Sequence, residues 1–236
     1  NDSTAIVFDM SSVFLGDNKK MSPFDKNSIY GMYNRTENYQ SDCSYISQIK
    51  AFKDNVSIKS CLSYTFSVSN SQGTSLIKDR PFTAEMTRSI MLLKEKPYRP
   101  RMADYRIGVF FTGREQLGEG AKTTVPVYYA NRWDIQPSDT AAYLRGEKVK
   151  PTKQIVFYID NTFPEKWKPY LREGVTQWNE LFEQIGFKDV VAAKDFPTDD
   201  PEFDPDNIKY SCVRYAPSSI ENAMGPSWVD PRSGEI

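Results

Sequence analysis

"VSIKSCLSYTFSVS", residues 56–69, alternates apolar and polar side chains along almost its whole length. Val56, Ile58, Leu62, Tyr64, Phe66 and Val68 fall on one face, interrupted by Ser60. Ser57, Lys59, Ser63, Thr65, Ser67 and Ser69 fall on the other. A period of two over this length specifies a strand. One wet face specifies antiparallel pairing. The neighbouring runs "TAIVFDM" (4–10), "RPFTAEMTRSIMLL" (80–93), "YRIGVFFTG" (105–113) and "TTVPVYYANRW" (123–133) are also strand-like and are separated by turn residues. Only "SYISQIKAF" (44–52) suggests a short helix. The expectation for residues 1–146 is a β-rich antiparallel domain.

The texture changes at "GEKVKPTKQ" (146–154), a short polar stretch that reads as a seam, and residues 147–236 read as a second domain. "IVFYID" (155–160) is continuously apolar, as a strand buried on both faces must be. Trp167, Leu171, Val175, Trp178, Leu181, Phe182 and Ile185 then recur at three- and four-residue steps. That spacing predicts one long helix over about 165–185 with Trp178 in the core. Pro164 and Pro169 sit near its start, where a missing N–H costs little. Gly186 stands where a left-handed residue ends a helix, with Phe187 folding back. "DVVAA" (189–193) and "DNIKYSCVRYA" (206–216) read as further strands, "ENAMGPSWV" (221–229) as an extended arm and "DPRSGE" (230–235) as a turn. The expected class is α+β: the β-rich domain, then a mixed sheet with one long helix.

Composition narrows function. The 236 residues include 30 Lys and Arg against 31 Asp and Glu, and no Lys/Arg-rich run implies nucleic-acid binding. No apolar run approaches the length of a membrane span. The first residue is not Met and no signal-peptide pattern is present, so the expectation is an exported protein whose leader has been trimmed. Cys43, Cys61 and Cys212 are an odd number with no C-x-x-C pair. Free, semi-buried thiols are the expectation and a Cys43–Cys61 bridge the alternative. There is no histidine.

"IVFYIDNTFPEKWKPYLREGVTQWNELFEQIGFKDVVAAKDFP", "DDPEFDPDNIKYSCVRY" and "ENAMGPSWVDPRSGEI" resemble the opening of the catalytic domain in large bacterial zinc-dependent metalloproteases of the metzincin type. "KPYRPRMADYRIGVFF" and "ANRWDI" resemble the segment upstream of it, and "FDMSSVFLGDNKKMSPF" the β-rich N-terminal region. The resemblance implies a zinc endopeptidase acting on a peptide or protein substrate. Its metal helix carries H-E-x-x-H, two His one turn apart with a Glu as general base. This chain departs from the pattern at that point, since it has no His. The resemblance therefore implies the accessory domain and the non-metal part of a catalytic domain, with zinc ligands and the remainder of that domain lying beyond Ile236.

The resemblance also supplies roles. Asn222, Ala223, Met224, Gly225, Pro226, Ser227 and Trp228 match the edge strand along which an extended substrate pairs. An ordinary edge strand blunted by Pro226 is the other reading. Asp104 matches a segment that in some metzincins blocks the zinc. Arg99, Arg101, Asp104 and Arg106 otherwise read as a buried Arg–carboxylate network joining the two domains. In "TDDPEFDPDN" (198–207), Asp200, Glu202, Asp204 and Asp206 alternate hard oxygen ligands suited to Ca²⁺. The loop lacks the central Gly and the final Glu of an EF-hand, and its prolines suggest a stiff solvated loop, with a calcium site the alternative. Against the protease reading stands a non-catalytic surface β-domain that binds protein or glycan.

Overall fold

The structure is a computed structural model. It describes residues 6–18, 21–24, 33–118, 120, 122–218 and 222–236. β structure dominates, mostly in antiparallel sheets. The chain divides into two compact units: residues up to Leu92 together with Asp206–Ile208, and Leu93–Pro205 together with Lys209–Ile236.

In the first unit a short helix, α1 (Ser11–Leu15), precedes three long strands, β1 (Tyr33–Ala51), β2 (Asn55–Asn70) and β3 (Ser75–Met91). They form an antiparallel meander in the order β1-β2-β3. The alternation of 56–69 sets which face is buried. Ile58, Ser60, Leu62 and Tyr64 are buried, whereas Lys59, Cys61 and Ser63 of the other face are partly exposed. Phe14 and the ring of Phe24, 4.9 Å from Tyr64, cover the apolar face. Arg88 fixes this cover by donating to the carbonyls of Phe14 and Met21, both at 2.9 Å. The helix expected over 44–52 is instead the second half of β1, because pairing with β2 overrides a weak local preference. The register slips between Gln40 and Tyr45. There Ser44 Oγ donates to Gln40 O and accepts Ser63 N–H. Of the strand expected over 4–10, Thr4 and Ala5 lie outside the described residues, and Ile6–Met10 form no strand. Asp206–Ile208 join this unit through Lys50–Asp206 at 2.6 Å and Asn55 Nδ2–Asn207 Oδ1 at 2.8 Å.

The second unit opens with a hairpin, β4 (Phe111–Leu117) and β5 (Thr124–Ala130). The next elements are α2 (Thr140–Leu144), β6 (Ile155–Ile159), α3 (Lys168–Thr176), α4 (Asn179–Gln184), β7 (Val191–Asp195) and β8 (Ser211–Val213). β6, β7 and β8 form a parallel sheet in the order β7-β6-β8. The expected mixed sheet is thus all parallel among the described residues, and the run 206–216 contributes only three residues of strand. The expected seam at 146/147 lies inside this unit. Ala142 and Val149 share one core with Ile155, Phe187, Val190 and Val191, with Trp133 and Ile135 packed against it. Burial ties the flanks of "GEKVKPTKQ" together.

The long helix of the sequence pattern is two short ones. Glu180 N–H bonds to Gln177 O and Leu181 N–H to Trp178 O, three-residue closures that tighten the junction. Trp178 is 59% exposed, not in the core. The polar Asn179 takes the inward position beside it. Its Oδ1 accepts Val190 N–H and Val191 N–H at 2.9 and 2.8 Å, and its Nδ2 donates to Val191 O at 2.9 Å. Only Val175 and Phe182 of the apolar stripe pack against the central core. The ending is as the sequence reads: Gly186 has φ +88°, and Phe187 is buried with its N–H on Phe182 O at 3.0 Å.

Candidate functional site

The turn at 230–235 is built from its own side chains. Asp230 Oδ1 accepts the N–H of Arg232 at 2.8 Å, closing the local turn that an Asp before Pro favours. The Arg232 guanidinium returns to the same carboxylate, with Nη2–Oδ2 at 2.8 Å, and also donates to Lys94 O at 2.7 Å. The side chain of Arg232 is the main reason that the Asp230 carboxyl sits below its ordinary range; burial opposes it. Lys94 pairs with Glu235. Gly234 adopts φ +75°, and a β-carbon there would lie 2.5 Å from Ala130 O. The close approach lets Arg132 N–H reach Gly234 O at 2.9 Å and Ile236 N–H reach Arg132 O at 3.0 Å. Ser233 is fully buried and Asp230 nearly so.

Immediately before this knot, Asn222 to Trp228 are all exposed, Met224 at 75% and Trp228 at 72%. Among the described residues no backbone N–H or C=O of this stretch is hydrogen-bonded to backbone. The expected edge strand is therefore extended chain without a sheet partner. Pro226 removes one donor and no strand lies alongside. Chemically, the stretch offers a row of free main-chain donors and acceptors, held at its C-terminal side by the Asp230–Glu235 knot.

The structure scatters the other candidates. Asp104 is paired with Arg106 two residues on, with Arg106 Nε at 2.9 Å from Oδ1, and this contact lowers the Asp104 pKa. Arg99 and Arg101 are exposed, and neither guanidinium has a hydrogen-bond or ion-pair partner among the described residues. The expected buried network is absent because its one carboxylate is consumed locally by Arg106. In the acidic loop, Asp200 Oδ1 accepts the N–H of Glu202 at 2.9 Å, while Asp206 faces Lys50. Among the described residues no three Asp, Glu or Cys side chains converge as a metal site. Asp200, Glu202, Asp204 and Asp206 thus do not gather into the alternative calcium set; local turns and an ion pair engage Asp200 and Asp206 separately. Cys43, Cys61 and Cys212 are all free thiols, so the alternative Cys43–Cys61 bridge is not formed.

A protease-type zinc does not fit this donor set. Its ligands are His nitrogens, and the chain has none. The thiols of Cys43 and Cys61 sit on one strand pair of the first unit, Cys212 on a strand of the second. No chemical step through zinc is derived from these residues.

Sequence reading missed Arg132 and Asn179. Arg132 stacks on Tyr98 at 4.2 Å and donates to Arg99 O at 2.9 Å. Its only signal was its place in "ANRWDI". Asn179 had a weak one, a polar residue inside an apolar helical stripe.

The sequence model of a family described as a domain of unknown function, DUF5117, matches residues 1–138. The chain belongs to the DUF5117 family. The matched DUF5117 region takes in the whole β1-β2-β3 meander and continues into the second unit through β4 and β5. No curated protein and no solved structure matches the chain. Among the described residues of this DUF5117 protein, no helix is long and apolar enough to cross a membrane.

Proposed function

We propose that this DUF5117 chain is the N-terminal portion of an exported zinc-dependent endopeptidase. On this reading it supplies a β-rich accessory domain and the substrate-side strand of an α+β, metzincin-like catalytic domain, but not the zinc ligands. The observation that carries the proposal is the stretch Asn222–Trp228. It is exposed, extended and without backbone partners among the described residues, and it leads directly into a turn fastened by its own side chains. A peptide needs such a row of free N–H and C=O groups to add as a strand. Two further features support it. The parallel unit β6–α3–α4–β7 has the strand–helix–strand order that the resemblance implies. Exposed apolar side chains on the helical segment, Tyr170, Trp178, Leu181 and Ile185, are surface that a larger catalytic domain would cover.

Zinc, in this proposal, belongs to the parent protein, with its His ligands on a helix beyond Ile236. The peptide or protein substrate is bound jointly with that remainder. The test is casein hydrolysis with and without a chelator. The 236-residue chain alone is expected to be inert, and the longer gene product to cleave casein in a chelator-sensitive way. Chelator-sensitive cleavage by the short chain would overturn the placement of the active site.

A further inference from the structure

Arg99, Arg101 and Arg132 form a cationic cluster with no ion-pair partner among the described residues. Residues 101–103 run antiparallel to β5: Met102 bridges Tyr129, Ala103 N–H bonds to Tyr128 O, and Ala130 N–H to Arg101 O, both at 2.8 Å. Beyond Ala130 the place beside Arg132 is taken by Gly234–Ile236, and it is the Arg132 guanidinium that reaches across to Arg99 O, at 2.9 Å. Arg99 and Arg101, two residues apart in extended chain, share a face. With Arg132 they line one shallow, polar depression of about 380 Å³. Like charges gathered around one depression repel one another. The nearby carboxylates do not relieve them: Asp104 is taken by Arg106, Glu235 by Lys94, and Asp134 accepts from Gln136. Arg132 is held in place by its stacking on Tyr98, and its Nε is buried without a partner.

A second observation concerns the backbone. In the Met102–Tyr129 pair the flanking residues make the ladder bonds, so the N–H and C=O of Met102 point away from β5. Neither has a partner among the described residues. The stretch is an open sheet edge flanked by cations.

We propose that this edge binds an extended acidic peptide, which pairs with the backbone at Met102 and places carboxylates at alternate positions on Arg99, Arg101 and Arg132. The geometry matches on both counts. Successive same-face residues of a strand are about 6.6 Å apart on both partners, and guanidinium forks take carboxylates bidentately. A sulfated glycan satisfies the charge but has no peptide backbone to continue the ladder at strand spacing.

The test is fluorescence polarisation of a short labelled peptide with glutamates at alternate positions, against the full chain. Binding is expected, weakened at least about tenfold when glutamine replaces the glutamates and by a similar factor in the Arg99→Gln/Arg101→Gln double variant. Both arginines are exposed and serve no fold contact through their side chains, so the double variant should melt like the parent. Met102→Pro, which removes the outward N–H at an edge position that tolerates proline, should also weaken binding. Equal affinity for the glutamine peptide, or undiminished binding by either variant, would overturn the proposal. So would a heparin-type oligosaccharide that binds where the glutamate peptide does not.

Discussion

Gly234→Ala is a sharp test of how the terminal turn is fastened. Alanine at φ +75° costs about 1–2 kcal/mol from backbone sterics alone. The added methyl would also lie 2.5 Å from Ala130 O and 3.1 Å from its carbonyl carbon. That carbonyl cannot swing aside freely, because the N–H of its own peptide group, that of Asn131, is held by Phe110 O at 2.8 Å. Relief must come from the turn, at the expense of Arg132 N–Gly234 O and Ile236 N–Arg132 O, each worth about 1 kcal/mol net. The expected destabilisation is about 2–4 kcal/mol. Gly146→Ala is the control. Gly146 has φ +86°, but a β-carbon there would meet no atom within 4 Å, so the change should cost only about 1–2 kcal/mol. Urea unfolding followed by tryptophan fluorescence reads the right unit, because Trp133, Trp167, Trp178 and Trp228 all lie in it. Equal costs for the two substitutions would refute the close approach of the turn to β5.

Asn179→Ala should destabilise the second unit by about 2–4 kcal/mol in the same assay, since it orphans Val190 N–H, Val191 N–H and Val191 O at once. Trp178→Ala should cost less than about 1 kcal/mol, because the ring is more than half exposed; a loss above about 3 kcal/mol would restore Trp178 to the core. Asn207→Ala leaves the buried Asn55 amide without its partner and should lower the stability of the first unit by about 1–3 kcal/mol, read by thermal unfolding in circular dichroism. The Asp230 carboxyl is depressed, so its contribution is fully present above the ordinary carboxylate pKa and is lost as pH falls through the lowered folded value. Asp230→Asn should therefore flatten the acid limb of the stability profile in the second unit, and an unchanged limb would contradict the Arg232 contact.

Period-two alternation made β2 legible because one face of a sheet is wet and the other dry, and the physical cause acts residue by residue. Turn chemistry made Gly186 and the turn at 230–235 legible for the same local reason. Trp178 was not legible. An apolar stripe reports which residues could face a core, not which of them win when Asn179 offers three hydrogen bonds to the buried backbone of Val190 and Val191. Arg99 and Arg101 failed differently. Sequence shows that Asp104 is near both, but only geometry shows that Arg106 takes it. The acidic loop illustrates the same limit, since alternating carboxylates converge only if the chain curls around a point, and here Asp200 caps its own turn while Asp206 reaches Lys50.

In the proposed function, the zinc site of the parent protein is made by residues outside this chain. Metal analysis after extensive dialysis tests it most directly, on the 236-residue chain and on the product of the same gene read past Ile236. No stoichiometric zinc is expected in the first. In the second, one zinc per chain is expected, with an H-E-x-x-H motif within about a hundred further residues. Stoichiometric, tightly held zinc in the histidine-free chain, or a longer product with neither the motif nor the metal, would contradict it.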